Sequence, residues 1–336
     1  MWSAGGSIDV RRTRTALGAL AVLVVAAAAC TPPAAPDPVV RPQPADRGRV
    51  PGVDVAASAG CSVVDGLDAG STRITLPAGS GSRSAQVQVP TSAAAGTPAP
   101  VLLSLHPFLV DGSAWEDYSG LAAAALARGY VVITPEGSDP GPRWAVPGGL
   151  DTGVDDIGHL SRLLDRVEDL TCIDRNREFA AGFSAGAAMS VALSCTLPWR
   201  MAAVAGSGGA NLTSTCATSP PTDVMVLHGT ADPIAPPTGS QVVFAPPIGL
   251  SIDQVVATSA QRAGCDAAGT PEQRTPDVVV TAAVGCDDEH RIEHWTLLGA
   301  GHTWAGSTSP LLELVTGPTT TSISANDVVL DFFDGI

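Results

Sequence analysis

The pentapeptide Gly182-Phe183-Ser184-Ala185-Gly186 places one hydroxyl between two glycines, and no other Gly-x-Ser-x-Gly occurs in the 336 residues. Chance can produce such a motif in a chain with 36 glycines, so its flanks carry more weight. Phe179, Ala180 and Ala181 lead in as a strand; Ala187, Ala188, Met189, Val191, Ala192 and Leu193 lead out as a helix. A strand–turn–helix setting holds a serine on a strained turn with its oxygen exposed. Glycines on both sides let that turn close, and the helix N-terminus favours developing negative charge. The implied chemistry is nucleophilic attack on an acyl carbon. Ala185 N–H is then one donor to the resulting oxyanion.

A serine needs a neighbouring base, and in this setting the chain order is Ser, then Asp or Glu, then His. Of the six histidines, His228, His290, His294 and His302 follow Ser184. His302 lies in Gly299-Ala300-Gly301-His302-Thr303-Trp304, a loop leaving a strand, and is the expected base. Asp232, in His228-Gly229-Thr230-Ala231-Asp232-Pro233, also leaves a strand and is the expected acid. There it accepts the imidazole N–H, fixes its tautomer and stabilises the imidazolium. His228 reads as a packing or loop-fixing residue. Asp155 and Asp156 precede Ser184 and read as helix-start residues.

His290-Arg291-Ile292-Glu293-His294 matches a zinc-peptidase pattern. Zinc needs both histidines on one helix face, and this segment runs into strand-like Trp295-Thr296-Leu297. Residues four apart on a strand stand roughly 13 Å apart, so no metal site is expected. The second oxyanion donor should come from the loop after strand 101–105, which reads His106-Pro107-Phe108. Pro107 has no N–H, which leaves Phe108, with His106 as a buried shaping residue. Trp304 and Trp144, with Phe108, are the expected walls for an apolar or aromatic acyl group.

These loops need strands to carry them. Strands are expected at 86–89, 101–105, 130–134, 177–181, 224–227 and 292–298. Helices are expected at 121–127, 156–167, from the serine turn to 193, at 251–260 with Ser251 as N-cap, and at 326–333. Ile157, Leu160, Leu163, Leu164 and Val167 recur at helical spacing. Alternation of this kind predicts an α/β fold, a mostly parallel central sheet with helices on both faces.

Composition limits the partners. The formal charge is −15, and all 18 basic residues are arginine. Such a surface repels phosphate backbones, so no nucleic-acid partner is expected. Arg11, Arg12 and Arg14 precede the uncharged run 16–29, which is shorter than a membrane span and reads as a signal peptide over 1–29. The small residues before Cys30 resemble a bacterial lipobox. That predicts an exported, cell-surface or extracellular protein, held to a membrane through lipidated Cys30. Residues 30–54 carry seven prolines and form the expected linker. The catalytic domain is expected over 55–336. Cys61, Cys172, Cys195, Cys216, Cys265 and Cys286 remain, an even number that suits three disulfides in an oxidising compartment. Fifteen connectivities are open; proximity favours Cys195–Cys216 and Cys265–Cys286, leaving Cys61–Cys172.

Taken together, Leu105-His106, Val154-Asp155-Asp156, Cys172-Ile173-Asp174, the serine pentapeptide, His228-Gly229-Thr230-Ala231-Asp232 and Gly301-His302-Thr303-Trp304 give a wider match. From about Cys61 to its end the chain resembles the esterase group containing polyhydroxybutyrate depolymerases and feruloyl esterases, including actinobacterial lipoprotein members. The resemblance implies a secreted α/β-hydrolase, no cofactor, and triad roles for Ser184, Asp232 and His302. Three positions depart from the family pattern: Pro107 where glycine is usual, Ala185 where asparagine is common, and Ala305 where proline is common. The expected activity is hydrolysis of a carboxylic ester. The competing readings are a retired hydrolase scaffold serving as a surface binding protein, suggested by Pro107, and an acyltransferase using the same triad.

Overall fold

Every residue of the strand Ala99–Leu105 is buried, as an apolar run must be when both faces of its sheet are covered. In this computed structural model, residues 55–336 are described apart from 80, 139–141, 150–152, 240–248 and 308–309, all within one compact unit. The expected signal peptide, Cys30 and the proline-rich linker lie outside the described residues.

In chain order the strands are β1 (Gly70–Ala78), β2 (Gly81–Val89), β3 (Ala99–Leu105), β4 (Val131–Pro135), β5 (Ile173–Phe183), β6 (Met201–Ser207), β7 (Asp223–Gly229), β8 (Ala267–Ala268), β9 (Glu272–Thr275), β10 (Val278–Val284) and β11 (Ile292–Leu297). The helices are α1 (Thr91–Ala94), α2 (Gly112–Ser119), α3 (Leu121–Ala127), α4 (Asp156–Leu170), α5 (Ala185–Thr196), α6 (Ile252–Arg262), α7 (Pro310–Thr316) and α8 (Ala325–Asp334). One sheet runs β1-β2-β4-β3-β5-β6-β7-β11-β10-β8, with β9 paired to β10. Its centre is parallel, from β4 through β3, β5, β6 and β7 to β11. Antiparallel strands border it on both sides. The chain is therefore an α/β protein of the expected kind.

The two faces are covered separately. Val101, Leu103 and Leu105 point to the side packed by Leu160, Leu163, Leu164 and Val167 of α4 and by Ala188, Met189 and Ala192 of α5. Leu102, one residue out of phase, joins Trp115, Leu121, Phe332 and Phe333 on the other side, as alternation along a strand requires. Each fully buried leucine or phenylalanine contributes about 1.5–3 kcal/mol of transfer free energy. Helix α6 starts at the expected Ser251, which forms a full capping box with Gln254. Helix α8 is capped by Ser324, just ahead of the Asn326 and Asp327 expected near its start.

The described cysteines pair as Cys61–Cys172, Cys195–Cys216 and Cys265–Cys286. At the entry to the central strands, away from the serine turn, Arg200 is fully enclosed and bound by Glu178 at 2.8 Å, Asp165 at 2.5 Å and Glu168. Asp156, expected only to start a helix, is also buried. It accepts from Ala145 N–H at 2.6 Å and pairs with Arg83.

Candidate active site

Parallel strands deliver their following loops to one end of the sheet, where such folds bind ligands. Ser184, Asp232 and His302 follow β5, β7 and β11 at that end. Ser184 is the single residue between β5 and α5, with φ 55° and ψ −118°, a conformation that L-residues rarely adopt and that stores strain. The surrounding glycines explain how it is held. A methyl group on Gly182 would come within 2.6 Å of the Gly186 backbone, and one on Gly186 would stand 2.0 Å from Leu105 O. Only glycine fits either position. Ser184 N–H donates to Ser207 O at 2.9 Å, and Ser184 C=O accepts from Ala188 N–H at 3.0 Å.

The loops carrying Asp232 and His302 are tied together by their backbones. Thr230 N–H donates to Leu297 O at 3.0 Å, and Ala231 N–H to Ala300 O at 2.9 Å. His302 N–H donates to Thr316 O at 2.6 Å, which anchors the loop to the end of α7. His302 Nδ1–H donates to Asp232 Oδ2 at 2.8 Å. The other carboxylate oxygen, Oδ1, accepts from Ile234 N–H and Ala235 N–H, each at 2.8 Å. Both partners are buried, so this charge-assisted contact is little screened.

The loop after β6 approaches both Ser184 and His302. A methyl group on Gly209 would lie 2.7 Å from Ser184 Cα, and one on Gly208 would lie 3.5 Å from His302 Nδ1. The Phe183 ring lies 4.8 Å from the imidazole, tilted by 43° to it. Among the described residues the Ser184 hydroxyl forms no hydrogen bond to the imidazole. Such bonds commonly tighten only when substrate is present. The Gly208-Gly209 contact has no counterpart in the sequence reading; its signal was the glycine pair directly after an all-buried small-residue strand.

The oxyanion candidates Ala185 and Phe108 belong to the start of α5 and to the loop after β3. Ala185 is the first residue of α5, where an N–H lacks a helical acceptor. The elbow packs on the β3 exit, since a methyl on Gly186 would also come 2.8 Å from His106 O. His106 shapes that exit. Its Nε2 accepts from Gly137 N–H at 2.9 Å, so Nδ1 carries the proton and donates to Pro107 O at 2.9 Å. Its own carbonyl accepts from Trp144 Nε1–H at 2.9 Å. In a trans peptide the C=O and N–H point oppositely, so holding Pro107 C=O turns Phe108 N–H away from the imidazole. Burial lowers the His106 pKa, which keeps this acceptor–donor pattern intact at neutral pH.

The expected wall residues need correction. Trp144 and Trp304 are sealed in the interior. Trp144 is fixed to His106, and Trp304 is held by Asn326 at 2.9 Å and by the edge of Trp115. Both indoles are large enough to be drawn into the core by the area they bury. Phe108, Leu109, Ile234 and Leu298 are exposed apolar side chains on the loops that carry the site residues. His290 Nδ1–H donates to Asp223 Oδ1 at 2.5 Å, and His294 stands on β11, so the zinc-like pattern is spread over a turn and a strand.

A family model described as phospholipase/carboxylesterase matches residues 155–243. The chain is 31% identical to the "Putative esterase NocK" of Nocardia uniformis over 70% of its own length and 74% of that protein. It is 30% identical to feruloyl esterase B of Piromyces equi over 64% of its length, spanning 42% of that larger protein. Acetyl xylan esterase from Aspergillus awamori superposes with a TM-score of 0.53 at 16% identity, covering 79% of this chain and all of that one, which shows the shared fold. The chain belongs to this esterase family of the α/β-hydrolase superfamily.

Proposed function

We propose that the chain is an exported serine hydrolase that cleaves carboxylic esters through Ser184, His302 and Asp232. The observation that carries this reading is the 2.8 Å His302–Asp232 bond beside a serine held at φ 55° between strand and helix. His302 removes the Ser184 proton as Oγ attacks the ester carbonyl. The oxyanion of the tetrahedral intermediate receives hydrogen bonds from Ala185 and Phe108 N–H. His302 then protonates the leaving alcohol, and water repeats the cycle on the acyl-enzyme to release the acid. Asp232 stabilises the imidazolium throughout. Three disulfides among the described residues support an oxidising, extracytoplasmic setting. Lipidation of Cys30 is the proposed means of membrane attachment.

Exposed Phe108, Leu109 and Ile234 on the site loops suit an apolar or aromatic acyl group, in keeping with the feruloyl esterases among the relatives. A panel of feruloyl, acetyl and 3-hydroxybutyryl esters tests the proposal. Hydrolysis is expected, with the feruloyl ester giving the highest kcat/KM. Acyl transfer to an added alcohol without release of free acid would point instead to a transferase.

A further inference from the structure

His228 ends in a place that simple packing does not explain. It is the penultimate residue of β7, opposite Thr296 of β11, and its side chain is almost completely enclosed. Its Nε2 lies 2.7 Å from Ala235 O and 3.5 Å from Asp232 Oδ2. Both neighbours are acceptors, so Nε2 carries the ring proton. Nδ1 is buried with no hydrogen-bond partner, and a bare buried acceptor is costly. A phenyl ring would fill the same space without that cost. What the imidazole adds is the Nε2–H.

We infer that His228 is a positioning residue of the triad, holding the Asp232 loop through Ala235 and adding a second, weaker donor to the carboxylate oxygen that serves His302. The inference rests on the triad reading above. The contacts close a ring: Ala235 N–H binds Asp232 Oδ1 at 2.8 Å, while Ala235 C=O is bound by His228. Asp232 Oδ2 thus sits between two imidazoles, at 2.8 Å from His302 Nδ1 and 3.5 Å from His228 Nε2. A donor near a carboxylate draws off part of its charge, which moderates the basicity it confers on His302. Besides Asp232 and His302, the titratable groups near His228 are His294 on β11 and Asp253 on α6, which share a cleft of about 500 Å³ with it. Burial lowers the His228 pKa, which favours the neutral ring with its single Nε2–H.

The test compares pH profiles of kcat/KM for wild type, H228F, H228Q and S184A, with the downfield Nδ1–H proton resonance of His302 recorded in each. H228F is expected to lower kcat on the order of tenfold, a change in transition-state stabilisation of about 1.4 kcal/mol. KM should hold, and the acid limb should move to higher pH as Asp232 regains charge. The His302 resonance should shift without any substrate present. H228Q, whose amide N–H can reach Ala235 O, should restore most of the rate. Should the phenyl variant fail to fold, H228N, too short to reach Ala235, is held to the same expectations. An acid limb and resonance unchanged in the donor-less variant overturn the inference, as does H228Q as impaired as H228F. If S184A is inactive in that case, only the His228 role fails; if S184A keeps its activity, the triad reading fails.

Discussion

Ser184→Ala is expected to lower kcat for a p-nitrophenyl ester by a factor on the order of 10⁶, and Asp232→Asn by about 10⁴. The two effects differ in kind. Without the hydroxyl there is no covalent route. In Asp232→Asn the route survives, but the new amide can present N–H to His302 Nδ1 and turn the ring into the wrong tautomer, because in the native site Oδ2 accepts the Nδ1–H at 2.8 Å. Neither change should unfold the protein. The turn at Ser184 is held by backbone bonds to Ser207 and Ala188 and by glycine contacts, none of which uses the hydroxyl. Circular dichroism and thermal midpoints close to wild type, alongside the kinetic losses, are the expected pair of results. A Ser184→Ala protein that hydrolyses the ester at the wild-type rate removes the mechanism.

Arg200→Met carries the largest expected loss of stability. The guanidinium is wholly buried and binds Glu178, Asp165 and Glu168, with Ser161 O at 3.3 Å. Removing one partner of a buried charge cluster leaves the others uncompensated and costs on the order of 3–5 kcal/mol. In a domain of this size that lowers Tm by roughly 10 °C. Catalysis in the surviving folded fraction should be unchanged, since Glu178 lies mid-strand in β5, Asp165 and Glu168 lie on α4 and Arg200 just ahead of β6, none of them on the loops of Ser184, Asp232 or His302. The cluster also imposes a pH dependence. Burial, then the neighbouring Glu178, pushes Glu168 up to about 8 from its ordinary 4.5. A carboxyl whose folded pKa is raised holds its proton more tightly in the folded state. Its contribution is full below about 4.5 and is lost as pH rises to about 8. Glu168→Gln should therefore flatten the decline of Tm across that interval. A wild-type Tm that rises from pH 5 to 8, and rises equally in Glu168→Gln, would contradict this.

Much of this architecture was legible because each central element combines a clear period with a clear end. Helix α4 shows its apolar stripe at 157, 160, 163, 164 and 167, and β3 is apolar throughout. The serine pentapeptide was readable because its two glycines have no alternative. Strands β1, β6, β8, β9 and β10 and helices α1, α2 and α7 have no expected counterpart, and three of them show the physical reasons. Strand β6 reads Met-Ala-Ala-Val-Ala-Gly-Ser, small residues that signal helix as readily as strand. Strand β1 is largely exposed, so no apolar run marks it. In α2, Trp115 is the one large side chain that is fully buried, with Tyr118 half-buried beside it, too few to set a helical period. His106 is buried and shapes its loop as its sequence position suggests, whereas for His228 the sequence leaves packing and loop-fixing both open, because a buried histidine and a positioning histidine share one letter. Trp144 and Trp304 were placed at the pocket because aromatic side chains serve both walls and cores; their partners lie 38 and 22 residues away along the chain.

The most direct test of the central claim is covalent labelling with a fluorophosphonate, followed by mass spectrometry of the digested protein. A single phosphonyl adduct is predicted on Ser184, absent from Ser184→Ala and formed far more slowly in His302→Ala. An adduct on another serine, or ester hydrolysis that persists with Ser184 unlabelled, would contradict the account.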